Sequence, residues 1–429
     1  MRDNPKNHFD VIVIGGGASG MMAAGVAGAR GKRVLILEKN KNLGEKLKIT
    51  GGGRCNVANG EMNIREFLKI YGDGGKFLAS PFSQFSSKDT FTFFEKLGLP
   101  LVVQARKRAF PNTEKAIDVV LALQKFLQKN NVVCKMNMRV SKINAEDGKI
   151  TGVVASGVNY TADSFIFATG GISHPETGST GDGFGFLRTL GHTIADPTPT
   201  IVPLAVKEEW VKSLAGVSLS FMKITFFADG VKKIVKKGKV LFTHFGLSGP
   251  LILNSAKEVG DLLEWSSEVT ATIDAYPDTD HGALEKKIIK TFDENKNKML
   301  KNIFKDITPL GTSEAILSIL EKINPVRDGL NSNGVNPDTK VHSVTKEERK
   351  QIVNLLKALP VTITSLMGFD RAVIADGGIT LKEIDMKTMR STLYNNLYVT
   401  GDLLHINRPS GGFSLQLCWT TGFVAGSNA

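Results

Sequence analysis

Residues 9–14, FDVIVI, form an unbroken apolar run rich in β-branched side chains. A run of that kind reads as a strand buried on both faces. Gly15-Gly16-Gly17 breaks it, residues 19–29 follow as a helix of small side chains, and KRVLILE at 32–38 returns as a second buried strand. Together they predict a βαβ unit. Residues 61–100 read as helical, with Phe91, Phe94, Leu97 and Leu99 on an apolar face, and IDVVLALQKFLQ at 117–128 reads as an amphipathic helix. Two strand-like pieces, 132–146 and 149–155, flank the turn Asp147-Gly148, and DSFIFA at 163–168 is a further buried strand.

The texture changes after Pro197. PTPTIVP at 197–203 reads as a linker, and alternating segments at 204–206, 217–227, 231–243 and 268–275 predict antiparallel β structure. From 281 to 358 the pattern is helical and Lys-rich, with a polar loop at 327–340. Residues 361–375 look extended, LYNNLYV at 393–399 is a last buried strand, and 413–426 is a second small-residue helix. The middle of the chain thus reads as an insertion between two halves of one α/β domain.

Composition narrows the class. With 41% hydrophobic and 22% charged residues among 429, the chain can bury a core, and its 44 glycines against 7% aromatics suit tight strand-to-helix turns. Three cysteines cannot build a disulfide framework, so reduced thiols in a cytosol are expected. The opening MRDNPKNHFD is polar and charged, unlike a signal peptide. Val11 to Ala29 carries no charge and nearly reaches membrane-spanning length, but Gly15, Gly16, Gly17, Gly20, Gly25 and Gly28 interrupt it. No membrane partner is expected. The formal charge of +12 raises nucleic acid as a partner. Its lysines, however, gather at 232, 233, 236, 237 and 239, read as a turn region, and at 286–305 among Glu285, Asp293, Glu294 and Asp306. Neither group interleaves with aromatics or arginines as a base-reading surface does, so both read as solvated surface.

The first chemical motif is Gly15-x-Gly17-x-x-Gly20, with Ala24 beyond it. It lies between a buried strand and a helix, and Glu38 ends the next strand. Gly15 allows the tight turn, Gly17 lets a pyrophosphate approach the backbone, and Gly20 and Ala24 let helix and strand pack closely. The helix N-terminus meets the phosphates, and Glu38 accepts ribose hydroxyls. An acid at 38 favours FAD or NAD over NADP.

Three further segments favour the flavin. A second Gly-rich cationic loop runs from Gly44-Glu45-Lys46 to Gly53-Arg54-Cys55-Asn56, and Ala168-Thr169-Gly170-Gly171 ends a strand of the same sheet. Thr400-Gly401-Asp402 ends a late strand ahead of a helix opened by Ser410-Gly411-Gly412. A ribitol wants an acid such as Asp402, and the helix start at Gly411-Gly412 suits the negative charge of reduced flavin near N1 and O2. No second strand–GxGxxG–helix unit is present, so a nicotinamide would be a transient donor.

At these motifs the chain resembles the bacterial aminoacetone-oxidase-like flavoproteins, also called NAD(P)/FAD-dependent oxidoreductases, a family that includes bile-acid-type enone reductases. The resemblance rests on GGGASGMMAA at 15–24, GEKLKITGGGRCNVAN at 44–59, RAFPNTEKAIDVVLAL at 108–123 and ATGGISHPETGSTGDGFG at 168–185. It continues through LFTHFGLSGP at 241–250, GGITLKEIDMKTM at 377–389 and LYVTGDLLHINRPSGGFSLQLCWTTGFVAG at 397–426. It implies an α/β fold: a discontinuous Rossmann-type FAD-binding domain (1–199 and 376–429), an inserted antiparallel β-barrel (200–280 and 359–375) and a helical subdomain (281–358). It implies that Gly15, Gly17, Ala18, Ser19, Glu38 and Lys39 hold adenosine and pyrophosphate. Lys46, Gly53, Arg54, Cys55 and Asn56 would lie along the cofactor, with Ala168, Thr169 and Gly170 at the neighbouring strand end. Val140 would offer backbone contacts to adenine. Gly401, Asp402, Gly411, Gly412 and Phe413 would meet ribitol and flavin.

The chain departs from the family pattern in two places. Asp402 stands where Glu is commoner, and the following loop, Leu403 to Pro409, replaces an acidic one; position 174, often Tyr, is His. That loop is expected to face the ring, so substrate choice does not carry over. Cys55 has no CxxC partner and reads as a packed small residue. His174, His244 and His405 read singly as structural or solvated, which leaves the catalytic acid or base unassigned. No metal site is expected, and no HExxH, GxSxG or P-loop supports hydrolysis or phosphoryl transfer. The expected activity is FAD-dependent hydride exchange with a small organic molecule, with NAD(P)H or O2 as second partner, in the cytoplasm. The alternatives are an FAD-dependent RNA-modifying enzyme and a protein that holds FAD without catalysis.

Overall fold

The computed structural model describes residues 7–322, 326–327, 330–331 and 335–429. The opening MRDNPK and, in the polar loop expected at 327–340, positions 328–329 and 332–334 lie outside the described residues. The chain divides into two compact units, one running to Pro199 and resuming over Ala372–Ala429, the other Thr200–Arg371.

The first unit is a Rossmann-type domain on a seven-stranded mixed sheet. His8–Ile14 lies at its centre, parallel to Val34–Leu37 on one side and Val158–Phe167 on the other, and Val133–Lys135 extends the parallel edge. VLIL at 34–37 is buried at every position, which is why that strand is a continuous apolar run rather than an alternating one. Val158–Phe167 carries two neighbours along its length. Its start pairs antiparallel with Lys149–Ala155, which forms a hairpin with Val140–Glu146, and its end runs parallel to Leu397–Val399. The last strand therefore joins the sheet beside Val158–Phe167, from far away in sequence.

Two small-residue helices pack on one another next to this sheet. They are Ala18–Ala29 and Phe413–Asn428, and their composition has a direct geometric reason. A Cβ on Gly422 would fall 2.5 Å from the Ser19 carbonyl oxygen, and one on Gly426 would fall 2.3 Å from that of Ala23. Backbones that close admit no larger residue. Arg30 closes the far end, donating from Nη1 to the carbonyls of Gly426 and Ala429, both at 3.0 Å.

The helical reading of 61–100 resolves into Ile64–Lys69, Gly74–Gln84 and Ser87–Lys96, and Ala116–Lys129 matches the amphipathic pattern. One reading is corrected, and one helix was not expected. The supposed linker at 197–203 belongs largely to a strand, Ile194–Ile201, which pairs with Ile374–Ile379. The helix Asp182–Thr189 lies in a Gly-rich stretch that carries no helical periodicity.

The second unit contains a closed six-stranded antiparallel barrel formed by Leu204–Val206, Gly246–Ser248, Val231–Thr243, Ser218–Ala228, Val269–Asp274 and Leu359–Leu366. The lysines at 232–239 lie on its strand Val231–Thr243 and not in a turn. Lys236 is paired with Glu258 at 2.7 Å and Lys237 with Asp278 at 3.2 Å. The helices His281–Glu294, Ser313–Leu320 and Lys346–Lys357 share a core with the barrel, in which Phe226, Phe242, Ile288, Ile316 and Leu356 are buried together. Among the described residues, no helix is long and apolar enough to cross a membrane.

Candidate functional site

Three turns converge in the first unit. The turn at 15–20 follows the central strand. The turn at 168–170 follows Val158–Phe167, and Ala168 N–H donates to the Ile14 carbonyl at 2.9 Å. The turn at 400–402 follows the last strand; Thr400 Oγ1 donates to Ser19 Oγ at 3.2 Å and Gly401 N–H to Thr421 Oγ1 at 3.0 Å. Packing explains the small residues. A Cβ on Gly15 would fall 2.5 Å from the Ala168 carbonyl oxygen and one on Gly401 2.9 Å from Ser19 Oγ. Beside Ala168, Thr169 and Gly170 continue toward Ser179, whose Oγ lies 2.9 Å from where a Gly170 Cβ would be.

Gly17 caps the helix Ala18–Ala29 in extended conformation. The first-turn N–H groups of any helix have no intrahelical acceptor, so Ala18 and Ser19 sit where an anion is favoured. Glu38 is buried at the end of the second strand. Its Oε2 accepts from Gly16 N–H at 2.7 Å and its Oε1 from Asn40 N–H at 2.8 Å. Each oxygen keeps a lone pair for a further donor. Met138 N–H donates to the Glu38 carbonyl at 2.8 Å, which brings the chain just before Val140 to the same edge. Lys39 turns away from this turn: its Nζ donates to Thr180 Oγ1 at 2.6 Å and pairs with Asp182 at 3.0 Å.

The loop at 44–56 forms a second wall. Gly51, Gly52 and Gly53 all have left-handed φ values, +59°, +68° and +84°, which three consecutive glycines alone adopt without strain. Arg54 stacks over Phe110 with 4.3 Å to the ring centroid and pairs with Glu114 and Gln104. Cys55 is fully buried, and burial pushes its thiol up to about 12, as suits a packed residue. The Asn56 amide, oriented to satisfy its neighbours, donates to the carbonyls of Ala58 and Ala109 and accepts from Gly412 N–H at 2.9 Å. This ties the loop to the head of the last helix.

At that head a carboxylate and two cations meet, with Arg408 buried. Asp402 is paired with Arg408, and Lys46 Nζ approaches its other oxygen at 3.7 Å. Burial alone would push the Asp402 carboxyl up, but Arg408 and Lys46 outweigh it and hold the group below the usual carboxylate range. Lys46 also donates to Ser173 Oγ at 3.1 Å, and burial lowers its ammonium below the usual lysine range. Gly411 accepts from Asn59 Nδ2 at 3.1 Å. The ring of Phe413 packs against Phe67 and Tyr71, and the Tyr71 hydroxyl donates to the Phe413 carbonyl at 2.8 Å.

The histidines separate. His174 lies beside Ser173 with Nδ1 2.8 Å from Glu176, and His405 lies in the loop after Asp402 with Nε2 3.6 Å from Asp376. His244 belongs to the second unit. Ser391, His192 and Glu383 line up like a nucleophile, base and acid, with contacts of 3.1 and 2.9 Å. Both Ser391 and His192 are buried, and Ser391 Oγ accepts from the N–H groups of Leu393 and Tyr394. The array therefore pins a turn and offers no attacking oxygen.

The geometry fits an adenine dinucleotide on its own evidence. A Cβ on Gly17, Gly52 or Gly53 would meet no protein atom within 4 Å, so these backbones line open space while their neighbours are tightly packed. Arg54 Nε is buried without a partner, and an acceptor in that space would satisfy it. Two helix N-termini as donors and an acid at the second strand as acceptor make up the polar groups of a dinucleotide site. Sequence reasoning missed Arg408 and Tyr71. A lone arginine in a polar loop reads as solvated, and a tyrosine on a helix reads as ordinary core.

Comparison with known proteins bears on this site. The family model described as "HI0933-like protein Rossmann domain" matches residues 9–428. The chain is 27% identical over 420 residues to a 3-dehydro-bile acid delta(4,6)-reductase of Clostridium scindens, covering 97% of this chain and 98% of that protein. It is 24% identical over 419 residues to a ribosomal RNA dihydrouridine synthase of Escherichia coli, covering 97% and 96%. In fold it is similar to a 3-ketosteroid-delta4-(5alpha)-dehydrogenase from Rhodococcus jostii, with a TM-score of 0.53 at 15% identity over 100% of this chain and 98% of that one.

Proposed function

The chain belongs to the HI0933-like Rossmann-domain family and is an FAD-dependent oxidoreductase, and from that premise we propose that it reduces an electron-poor carbon–carbon double bond of a small organic molecule, with NAD(P)H as transient donor. The observation that carries this reading is near-full-length similarity to a delta(4,6)-reductase, joined to a partly buried cationic cluster at the head of the last helix. The chemistry that FAD would supply when held by these residues is hydride transfer from N5 to a carbon conjugated with a carbonyl.

The residues of the chain do the rest. The open backbone at Gly17 and the start of Ala18–Ala29 receive the diphosphate, and Glu38 accepts the ribose hydroxyls. Arg54 Nε, buried without a partner, and the open turn at Gly52-Gly53 would line the middle of the cofactor. Asp402, held ionised by Arg408 and Lys46, accepts from ribitol, and the helix opened by Gly412 favours negative charge on the pyrimidine ring. Lys46 and His405 stand nearest in chemistry to a proton donor for the substrate carbon, and Ser173 orients Lys46.

The test is anaerobic. The yellow holoprotein is reduced with NADH or NADPH and then mixed with a cyclic enone, with uridine-containing RNA or with O2. Reoxidation by the enone at least tenfold faster than by buffer supports the reading. Reoxidation by O2 alone, with no saturated product, defeats it. A second reading, reduction of a base in RNA, is supported by the relative named for dihydrouridine synthesis and by the lysines on Val231–Thr243. It predicts salt-dependent RNA binding, and RNA rather than the enone as the faster oxidant.

A further inference from the structure

Arg408 is 3% exposed, although it stands in a loop. Its Nε donates to Ser414 Oγ at 3.0 Å, its Nη1 to the Ile406 carbonyl at 2.5 Å, and its Nη2 to Asp402. One guanidinium thus joins the acid after the last strand, the backbone of the following loop and the first turn of the last helix. Lys46 adds a second cation on the other oxygen of Asp402.

The charges do not balance. Two cations face one carboxylate, and they do so at the N-terminal end of the helix Phe413–Asn428, whose dipole has the same positive sign. The other titratable groups of the cluster add no negative charge, because burial pushes the Cys418 thiol up to about 12 and the Tyr71 phenol upward as well. Glu176, the next carboxylate acting on Lys46, is already 2.8 Å from His174. An arginine stays charged at any working pH. A partly buried positive surplus is costly unless an anion completes it.

We infer that Arg408 is a positioning residue that holds Lys46, Asp402 and the last helix as a cationic anchor for the negative charge that two-electron reduction leaves on the flavin pyrimidine ring. Reduction by two electrons and one proton places one net charge there. An anchor of this kind raises the flavin midpoint potential. The inference rests on the proposal that Asp402 and the turn at 411–413 lie along the flavin.

The experiment is a dye-equilibrated reductive titration of the full holoprotein and two variants. Arg408→Gln removes the cation, and its flavin should be harder to reduce by at least tenfold in the equilibrium constant, about 30 mV for a two-electron couple. Asp402→Asn uncovers the cations, and its potential should shift upward. The opposite signs separate an electrostatic anchor from a structural brace. If Arg408→Gln does not accumulate as folded protein, the upward shift in Asp402→Asn still decides the matter. Potentials within threefold of the parent in every variant that holds FAD overturn the inference and leave the proposed function standing. A parent chain that stays colourless with added FAD overturns both.

Discussion

Glu38 Oε2 accepts the N–H of Gly16 at 2.7 Å, so the acid at the end of the second strand also shapes the turn after the first. The same carboxylate takes the Asn40 N–H on its other oxygen. A glutamine there would turn its NH2 toward one of these two donors. Leaving one buried donor unmatched costs about 1–3 kcal/mol. We expect Glu38→Gln to lower the thermal midpoint of the apoprotein by a few degrees and to weaken FAD binding further, since the ribose loses its acceptor. Differential scanning fluorimetry and an FAD fluorescence titration read the two effects separately. Unchanged FAD affinity would remove Glu38 from the cofactor site.

The last helix is held by buried polar contacts as much as by apolar ones. Trp419 is fully buried, donates from Nε1 to the Val57 carbonyl at 2.9 Å, and meets Phe94 edge-on at 5.4 Å between centroids. Gln416 accepts from Thr90 at 3.0 Å and donates to Thr420 at 3.1 Å. Trp419→Phe orphans the Val57 carbonyl and leaves a gap, at a cost of about 2–3 kcal/mol. Val57 directly follows Asn56, which in turn receives the Gly412 N–H. We therefore expect this variant to lose FAD on desalting at a temperature where the parent keeps it. Retention equal to the parent would show that the 44–56 loop is fixed independently of the last helix.

Much of this was legible in the sequence, for a physical reason. Parallel strands covered on both faces are continuous apolar runs, and close helix packing demands small residues, so FDVIVI, VLIL and the Gly-rich helices announce themselves. Ile194–Ile201 escaped because Pro197 and Pro199 remove ladder donors, which reads as a break, whereas a two-stranded ribbon has a free edge to place them. The segment 231–243 reads as β, but its lysines read as a turn, because one side of a barrel strand faces solvent and tolerates charge at nearly every outward position. At the candidate site, the positions set by backbone geometry could be read from local motifs, and Arg408 could not. Its role depends on a fold that buries a loop, which no local pattern encodes.

The three cysteines report on burial. Burial pushes the thiols of Cys55 and Cys418 up to about 12 and that of Cys134 up to about 11. The thiolate is the reactive form, so at pH 8 each is almost wholly protonated and slow. We expect fewer than one equivalent of an aromatic disulfide reagent to react in native protein over several minutes, and all three thiols after denaturation. Two or more fast thiols in the native protein would contradict these upward shifts. Linkage has a definite sign here. The folded thiols ionise at higher pH than the unfolded ones, so their contribution to stability is full below about pH 8.5, the unfolded value, and is lost as pH rises toward 11 to 12. Replacing Cys55 and Cys418 by Ala should flatten the alkaline limb of a midpoint-versus-pH curve.

Gly17 and Gly20 belong to one motif but answer to different constraints. A Cβ on Gly20 would fall 1.9 Å from the Gly15 carbonyl oxygen, a backbone atom that cannot yield without moving the strand. A Cβ on Gly17 would meet no protein atom within 4 Å, and its φ of −81° suits any residue. Gly20→Ala should therefore destabilise the apoprotein itself, by about 3 kcal/mol as an overpacked contact. Gly17→Ala should leave apoprotein stability within about 0.5 kcal/mol of the parent. If a diphosphate fills the space over Gly17, the same methyl obstructs it, and FAD affinity should fall at least tenfold, about 1.4 kcal/mol. The pair separates a residue kept for the fold from one kept for the ligand. Parental FAD affinity in Gly17→Ala would mean that the diphosphate does not lie across this turn.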